Sequence, residues 1–197
     1  MPIRDITFEG GSLIGASGVD RVVGTIALET ASPLKGQYSA RIPNAASTYL
    51  DVRFTATDDL YVSLYVRLSA LPAADARLVA IANAGTGVGN LVVRTNGQLR
   101  LRVGSTLVGV DSAPLQVGQL YRLGIRQKRG ASGNAVLEAY VTSGDAPFGT
   151  PFASTTTGTW TTAADRLAVG ATSPNPIDIV VDDVRLDAAV MPGPSGQ

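Results

Sequence analysis

The chain has 197 residues, 45% of them hydrophobic, with 16 basic and 16 acidic residues and neither cysteine nor histidine. That composition fits one folded domain with a full core and excludes bulk disorder. It excludes disulfides, the common zinc sites and every mechanism built on a histidine base or a cysteine nucleophile, and the zero net charge removes the broad positive footprint of a nucleic-acid binder.

Ile3-Arg4-Asp5-Ile6-Thr7-Phe8 reads as a strand from the start. A secretory leader would show a basic start, an apolar run and a cleavage site there. No apolar stretch approaches the roughly 18 residues of a membrane span. The expectation is a protein made in the cytoplasm with no membrane partner.

Further strands are predicted near residues 24–29 and 37–43 and over Tyr49 to Phe54. The clearest is Tyr61 to Leu68, where Val62, Leu64, Val66 and Leu68 share one face and Tyr61, Ser63, Tyr65 and Arg67 the other. Such alternation marks a strand with one face in a core. Pro72 limits the stretch 70–76 to one turn of helix, and a strand follows near 76–82. Gly85-Thr86-Gly87-Val88-Gly89 lacks the lysine and helix of a phosphate-binding loop, reads as a plain loop, and leaves no cofactor pattern in the chain.

Asn96-Gly97 is read as the two-residue turn of a hairpin joining Leu91–Thr95 to Gln98–Val103. That turn sets Val93 opposite Arg100 and Leu91 opposite Arg102. Val92, Leu99, Leu101 and Val103 then face the core, and Leu91, Val93, Arg100 and Arg102 form an outer face, a candidate intersubunit surface. The alternative is an outer face shielded by the arginine stems.

Strands follow near 106–111, over Tyr121 to Arg126 with Tyr121, Leu123 and Ile125 inward, over Ala135 to Val141, and near 166–171. Trp160, the only tryptophan, lies in a Thr/Gly run and either covers one end of the molecule or offers a platform for a sugar ring. Tyr61 and Tyr65 are further candidate glycan contacts, unless loops or a partner cover them. In the last strand, near 177–186, Ile177, Ile179 and Val181 alternate out of phase with Val184 and Leu186. A β-bulge at Asp182-Asp183 would put both sets in the core. The functional alternative makes Asp182 and Asp183 a cation site. A β-sandwich domain over residues 1–189 is expected, with a flexible Pro/Gly tail over residues 190–197.

Several stretches together resemble a known family. Gly36-Gln37-Tyr38-Ser39-Ala40-Arg41, Tyr61 to Arg67, Leu120-Tyr121-Arg122-Leu123-Gly124-Ile125 and Ile179-Val180-Val181-Asp182-Asp183-Val184 are similar, in order, to strands of concanavalin A-like and laminin-G-like jelly rolls. The resemblance implies an all-β, antiparallel two-sheet sandwich whose closing strand returns beside the N-terminal one. Members include sugar-binding modules, glycosidases, lyases and structural domains of bacterial viruses, so the fold does not choose the function.

Catalysis is not expected. Sandwich glycosidases need paired carboxylates, whereas Glu9, Glu29 and Glu138 stand alone and the nearest spacing, Asp178-x-x-x-Asp182, lies on a strand that reads as core. Lyases of this fold use a histidine or tyrosine with Arg and Gln; Gln127 and Tyr121 lie near Arg122 and Arg126, but Tyr121 points inward. The first reading is therefore a bacteriophage virion protein, a capsid decoration or tail component, working through contacts with its own copies and other virion proteins. The alternative is an adhesion module that recognises a cell-surface glycan.

Overall fold

The computed structural model describes residues 2–195. Its strands are β1 (Pro2–Ile6), β2 (Arg21–Val23), β3 (Ala27–Glu29), β4 (Ser39–Ile42), β5 (Tyr49–Thr57), β6 (Asp59–Ala70), β7 (Ala76–Asn83), β8 (Thr86–Val93), β9 (Leu99–Val103), β10 (Thr106–Val108), β11 (Tyr121–Lys128), β12 (Val136–Ser143), β13 (Ala153–Thr155), β14 (Ala164–Gly170) and β15 (Asp178–Asp187). No helix occurs among the described residues; the stretch after Ala70 that could have held one turn is irregular.

Two antiparallel sheets face each other. The first runs β13-β12-β11-β6-β15-β4-β3, with β1 also on β15; the second runs β10-β9-β8-β7-β14-β5-β2. Both surround one core, in which Val62, Leu64, Val66 and Leu68 of β6 meet Leu91, Val93, Leu99 and Leu101 of the second sheet. The N-terminal strand lies on the closing strand, Ile6 opposite Val184 and Arg4 opposite Leu186.

The bulge in β15 is where the broken alternation put it. Its register against β6 slips between Asp182 and Arg185, and Asp183 takes the left-handed φ of 42°. Ile177, Ile179, Val181, Val184 and Leu186 are consequently all buried. One edge of β15 is thereby split, Ile179–Val181 pairing with β4 and Val184–Asp187 with β1.

The hairpin of β8 and β9 differs from the expectation by one residue. Its loop has three residues, Thr95-Asn96-Gly97. Gly97 N–H donates to Arg94 O at 2.9 Å, Arg94 N–H donates to Gln98 O at 2.9 Å, and Gly97 adopts φ 83°. This is a turn closed by a left-handed glycine, the usual three-residue hairpin. Val93 therefore opposes Leu99 and Leu91 opposes Leu101. Leu91 and Val93, expected outside, are completely buried. Val92, expected inside, opposes Arg100, on the face where Arg100 and Arg102 lie.

The Gly-rich stretch read as a loop belongs largely to β8. Gly89 packs where the core has no room, since a Cβ there would stand 2.6 Å from Leu137 of the opposite sheet. After β15 the chain lies over the first sheet as far as Ser195, which is buried. Gly196 and Gln197, the end of the expected free tail, fall outside the described residues.

Candidate functional site

The outer face of the first sheet collects chemistry from four adjacent strands. Register sets it out in three rows. Glu138, Arg126, Tyr61 and Asp187 form the first, Tyr140, Gly124, Ser63 and Arg185 the second, and Thr142, Arg122, Tyr65 and Asp182 the third. Small residues at the centre of the middle row leave a trough. A Cβ on Gly124 would stand 2.9 Å from Phe148 and 3.2 Å from the Met191 sulfur, so this glycine lets both side chains settle there.

The first row is partly open to solvent. Arg126 stacks over the Tyr61 ring at 4.9 Å and donates to both oxygens of Asp59 at 3.1 and 2.9 Å, with Glu138 3.8 Å away. The Tyr140 hydroxyl donates to Glu138 at 2.8 Å, and its ring meets Phe148 at 5.6 Å. Burial raises the Tyr61 and Tyr140 phenols, helped by Asp59 and Glu138 respectively. Phenols held protonated at neutral pH do not suit base chemistry, and with their protons in hydrogen bonds to Asp59 and Glu138 their oxygens are left to accept from a ligand.

The third row is covered. Tyr65 is buried; its hydroxyl donates to Asp145 at 2.5 Å and accepts from Ser195 N–H at 3.2 Å, while Lys35 lies 4.7 Å over its ring. Lys35 also holds Asp145 at 2.6 Å, which with the Tyr65 hydroxyl lowers that carboxyl. Asp182 accepts from the Ser39 hydroxyl at 2.6 Å and from Lys35 N–H at 3.0 Å. Asp183 accepts from the Ser195 hydroxyl.

Of the candidate glycan contacts, cation ligands and interface residues named from the sequence, Tyr61, Tyr65, Asp182 and Asp183 thus share one face, together with Arg122, Arg126 and Glu138, and Trp160 and the hairpin residues lie elsewhere. Among the described residues no group of three metal-ligating side chains forms, so the two aspartates stand without a third acidic ligand. Trp160 is not a platform. Its ring is buried in the core, its indole N–H donates to Lys128 O at 2.6 Å, and its backbone bridges Gly130. Arg100 holds Asp111 through two bonds of 2.8 and 2.7 Å, and Arg102 reaches Asp75 at 3.5 Å. With Leu91 and Val93 turned inward, that hairpin face offers no apolar pair to a partner. Tyr121 leans on the core and Gln127 crosses it, accepting from Gly89 N–H at 3.1 Å.

A shallow groove also crosses the second sheet, floored by Ala80, Ala82 and Ala168 and walled by Tyr49, Arg77 and Arg166. Both of its arginines are occupied, Arg166 by the buried Asp51 and Arg77 by Thr172. The first sheet differs, because Ser63 Oγ, Arg122 Nε and Arg185 Nε are buried there without a hydrogen-bond partner. Nothing in the alternation of β11 marks Arg122 as special, since its isolation depends on loops far along the chain.

No protein-family model matches the sequence, and no curated protein matches it. Solved structures do. An endo-β-1,4-glucuronan lyase from the fungus Trichoderma reesei superposes with TM-score 0.65 at 15% identity, covering 94% of each chain. The chain shares its β-sandwich fold. Domain 4 of an extracellular arabinanase from Geobacillus stearothermophilus, in complex with arabinotriose, matches with TM-score 0.62 at 16% identity, over 94% of this chain and 91% of that one. The binding domain of botulinum neurotoxin DC, in complex with SialylT, gives 0.63 at 12%, over 97% of this chain and 48% of that one. The chain spans only 18% of a sialidase that it matches with TM-score 0.65. At these identities the likeness establishes the two-sheet architecture and nothing finer.

Proposed function

We propose that this domain is a carbohydrate-binding module and that it holds its glycan on the outer face of the first sheet. The observation that carries the reading is the partly open row Glu138–Arg126–Tyr61, an aromatic ring backed by a guanidinium and flanked by carboxylates and the Tyr140 phenol. A flat ring with polar groups at its rim matches a sugar, which has apolar faces and a girdle of hydroxyls. Glycan-bound neighbours, the arabinanase domain and the toxin binding domain, support the same class of ligand.

We propose binding without cleavage. The chain has no histidine or cysteine, its raised phenols are poor bases, and Glu138 is the one glutamate in these rows. An attachment role on a virus particle is compatible with this reading but draws no support from the fold.

The test is a panel of neutral and acidic oligosaccharides titrated by calorimetry. At least one should bind and be recovered intact. Tyr61→Ala and Arg126→Ala should each weaken binding by about 1–2 kcal/mol, a factor of 5–30, as truncations of central contacts do. A panel without a ligand, or affinity indifferent to Tyr61→Ala, would sink the proposal.

A further inference from the structure

Arg122 is the one arginine that is fully buried among the described residues. It is 1% exposed, yet among the described residues it makes no ion pair. Its contacts are the neutral carbonyls of Ala146 at 3.0 Å and Pro192 at 3.3 Å, and the Phe148 ring at 4.1 Å. Its Nε has no hydrogen-bond partner, and neither do Ser63 Oγ and Arg185 Nε on the same face, although Arg185 Nε lies 3.9 Å from the Asp5 carboxylate. Buried donors are almost always satisfied in native proteins, and a buried charge is normally paired. Burial disfavours the charged form of Arg122 and the like charge of Arg185 adds to that, while Tyr65 and Asp145 act in the opposite sense without cancelling it. The acids near Arg122 are already engaged by other groups. Asp145 is held by Lys35, and Asp183, 4.0 Å from Arg185, is occupied by Ser195.

What covers these groups is held by side-chain contacts rather than by a strand ladder. Residues 191–195 make no backbone–backbone hydrogen bonds among the described residues. They are pinned by Ser195 to Tyr65 and Asp183, by Pro192 O to Arg122, and by Met191 over Gly124. Pro192 and Pro194 lack an N–H and could not join a strand edge.

We infer that residues 191–195 are a displaceable cover over an anion subsite built from Arg122, Arg185 and Ser63, and that the subsite takes the carboxylate of an acidic sugar. The inference rests on the glycan-binding reading above and adds to it a charge preference and a gate. The Pro192 carbonyl stands where a carboxylate oxygen would accept from the guanidinium. A carboxylate would match the planar fork through two charge-assisted bonds, while Ser63 and Arg185 would supply the remaining donors. The ligand and the cover compete for the same donors, so the apparent affinity of the intact chain is reduced by the fraction of time the cover stays closed.

The test uses the full chain. Met191→Gly removes the side chain that seats the cover over Gly124 and leaves the polar partners of the subsite as they are. Sodium acetate, followed by NMR shifts, reads the subsite alone; a glucuronate oligosaccharide, followed by calorimetry, reads it within a glycan. The loosened protein should bind both at least about fivefold tighter than the native chain. Arg122→Gln in the loosened protein should erase that gain, with Arg122→Lys restoring part of it, because a fork and a point charge are not equivalent. Circular dichroism checks that each variant is folded. Equal affinity of native and loosened proteins, or a gain that survives Arg122→Gln, overturns the inference. The two readings fail separately. Glucuronate binding that needs Tyr61 but ignores both the cover and Arg122 refutes only the subsite. An Arg122-dependent acetate response with no oligosaccharide binding refutes only the glycan module.

Discussion

Val93→Asp should strip the protein of most of its stability, while Val92→Asp, one residue away, should cost far less. Val93 is fully buried opposite Leu99, in the same core as Leu91 and Leu101. A carboxylate there would lose its water and gain no partner, and the valine's own burial would be lost as well. Together these cost about 4–5 kcal/mol or more, against the 5–15 kcal/mol that holds a typical domain together. Val92 is also covered, but it sits on the outer face between Arg77 on β7 and Arg100 on β9. An aspartate at 92 would lie between two guanidiniums, and we expect a loss of no more than about 1–2 kcal/mol. Urea melts of the two variants decide the matter. If Val93→Asp proves the milder change, the hairpin register is wrong by one residue.

That one-residue difference shows which signals in the sequence are readable. Alternation marks the strands, because each has one face in a core. It also locates the bulge, because an extra residue at Asp182-Asp183 is what brings two out-of-phase apolar sets onto the same side. The turn dipeptide misleads. Asn96-Gly97 suits a two-residue turn, but that turn sets Val93 against Arg100 and Leu91 against Arg102. Matching like with like across the hairpin would have chosen the three-residue loop, which aligns Val93 with Leu99 and Leu91 with Leu101. Cross-strand pairing is a physical interaction, whereas the dipeptide is a local preference that tertiary packing overrides.

The candidate site is legible in the sequence only in fragments. Tyr61 and Tyr65 can be read as outward-facing from β6 alone. Their neighbours Arg126, Arg122 and Tyr140 come from segments some sixty to eighty positions away, and only the register of β6 against β11 and of β11 against β12 fixes who stands beside whom. Burial of Tyr65 and Arg122 is illegible for a different reason. Both are covered by irregular chain, the loop around Asp145 to Phe148 and the segment after β15, whose course no periodicity encodes.

Stability should fall, rather than rise, between pH 4 and pH 8 by an amount traceable to Asp182. This carboxyl is fully buried at the bulge, receiving the Ser39 hydroxyl at 2.6 Å, Lys35 N–H at 3.0 Å and Asp183 N–H at 2.7 Å. Burial outweighs these bonds and pushes its pKa up to about 7 from the ordinary 3.8, with the neighbouring Asp183 carboxylate adding to the rise. The folded state therefore holds this proton more tightly than the unfolded chain. The stability it contributes is fully present below about pH 4, declines as pH rises, and is lost above about pH 7. A shift of this size corresponds to about 2–4 kcal/mol once the response of the surroundings is allowed for. Carboxyls held low by their partners, such as Asp111 beside Arg100 and Asp145 beside Lys35, act in the opposite sense, but only as pH falls toward and below 4. Chemical denaturation at half-unit steps from pH 4.5 to 8 isolates the effect if native protein and Asp182→Asn are compared. The variant carries no titrating group at 182, so whatever its constant offset, its profile should lack the native decline. Asp182→Ala, which strands three buried donors at once and has no titrating group at 182, should fall furthest below the native protein near pH 4, by about 3 kcal/mol or more, and by less as pH rises. A native profile that parallels that of Asp182→Asn would mean that the carboxyl titrates normally. The bulge would then be held by an ionised aspartate drawing full strength from its three donors.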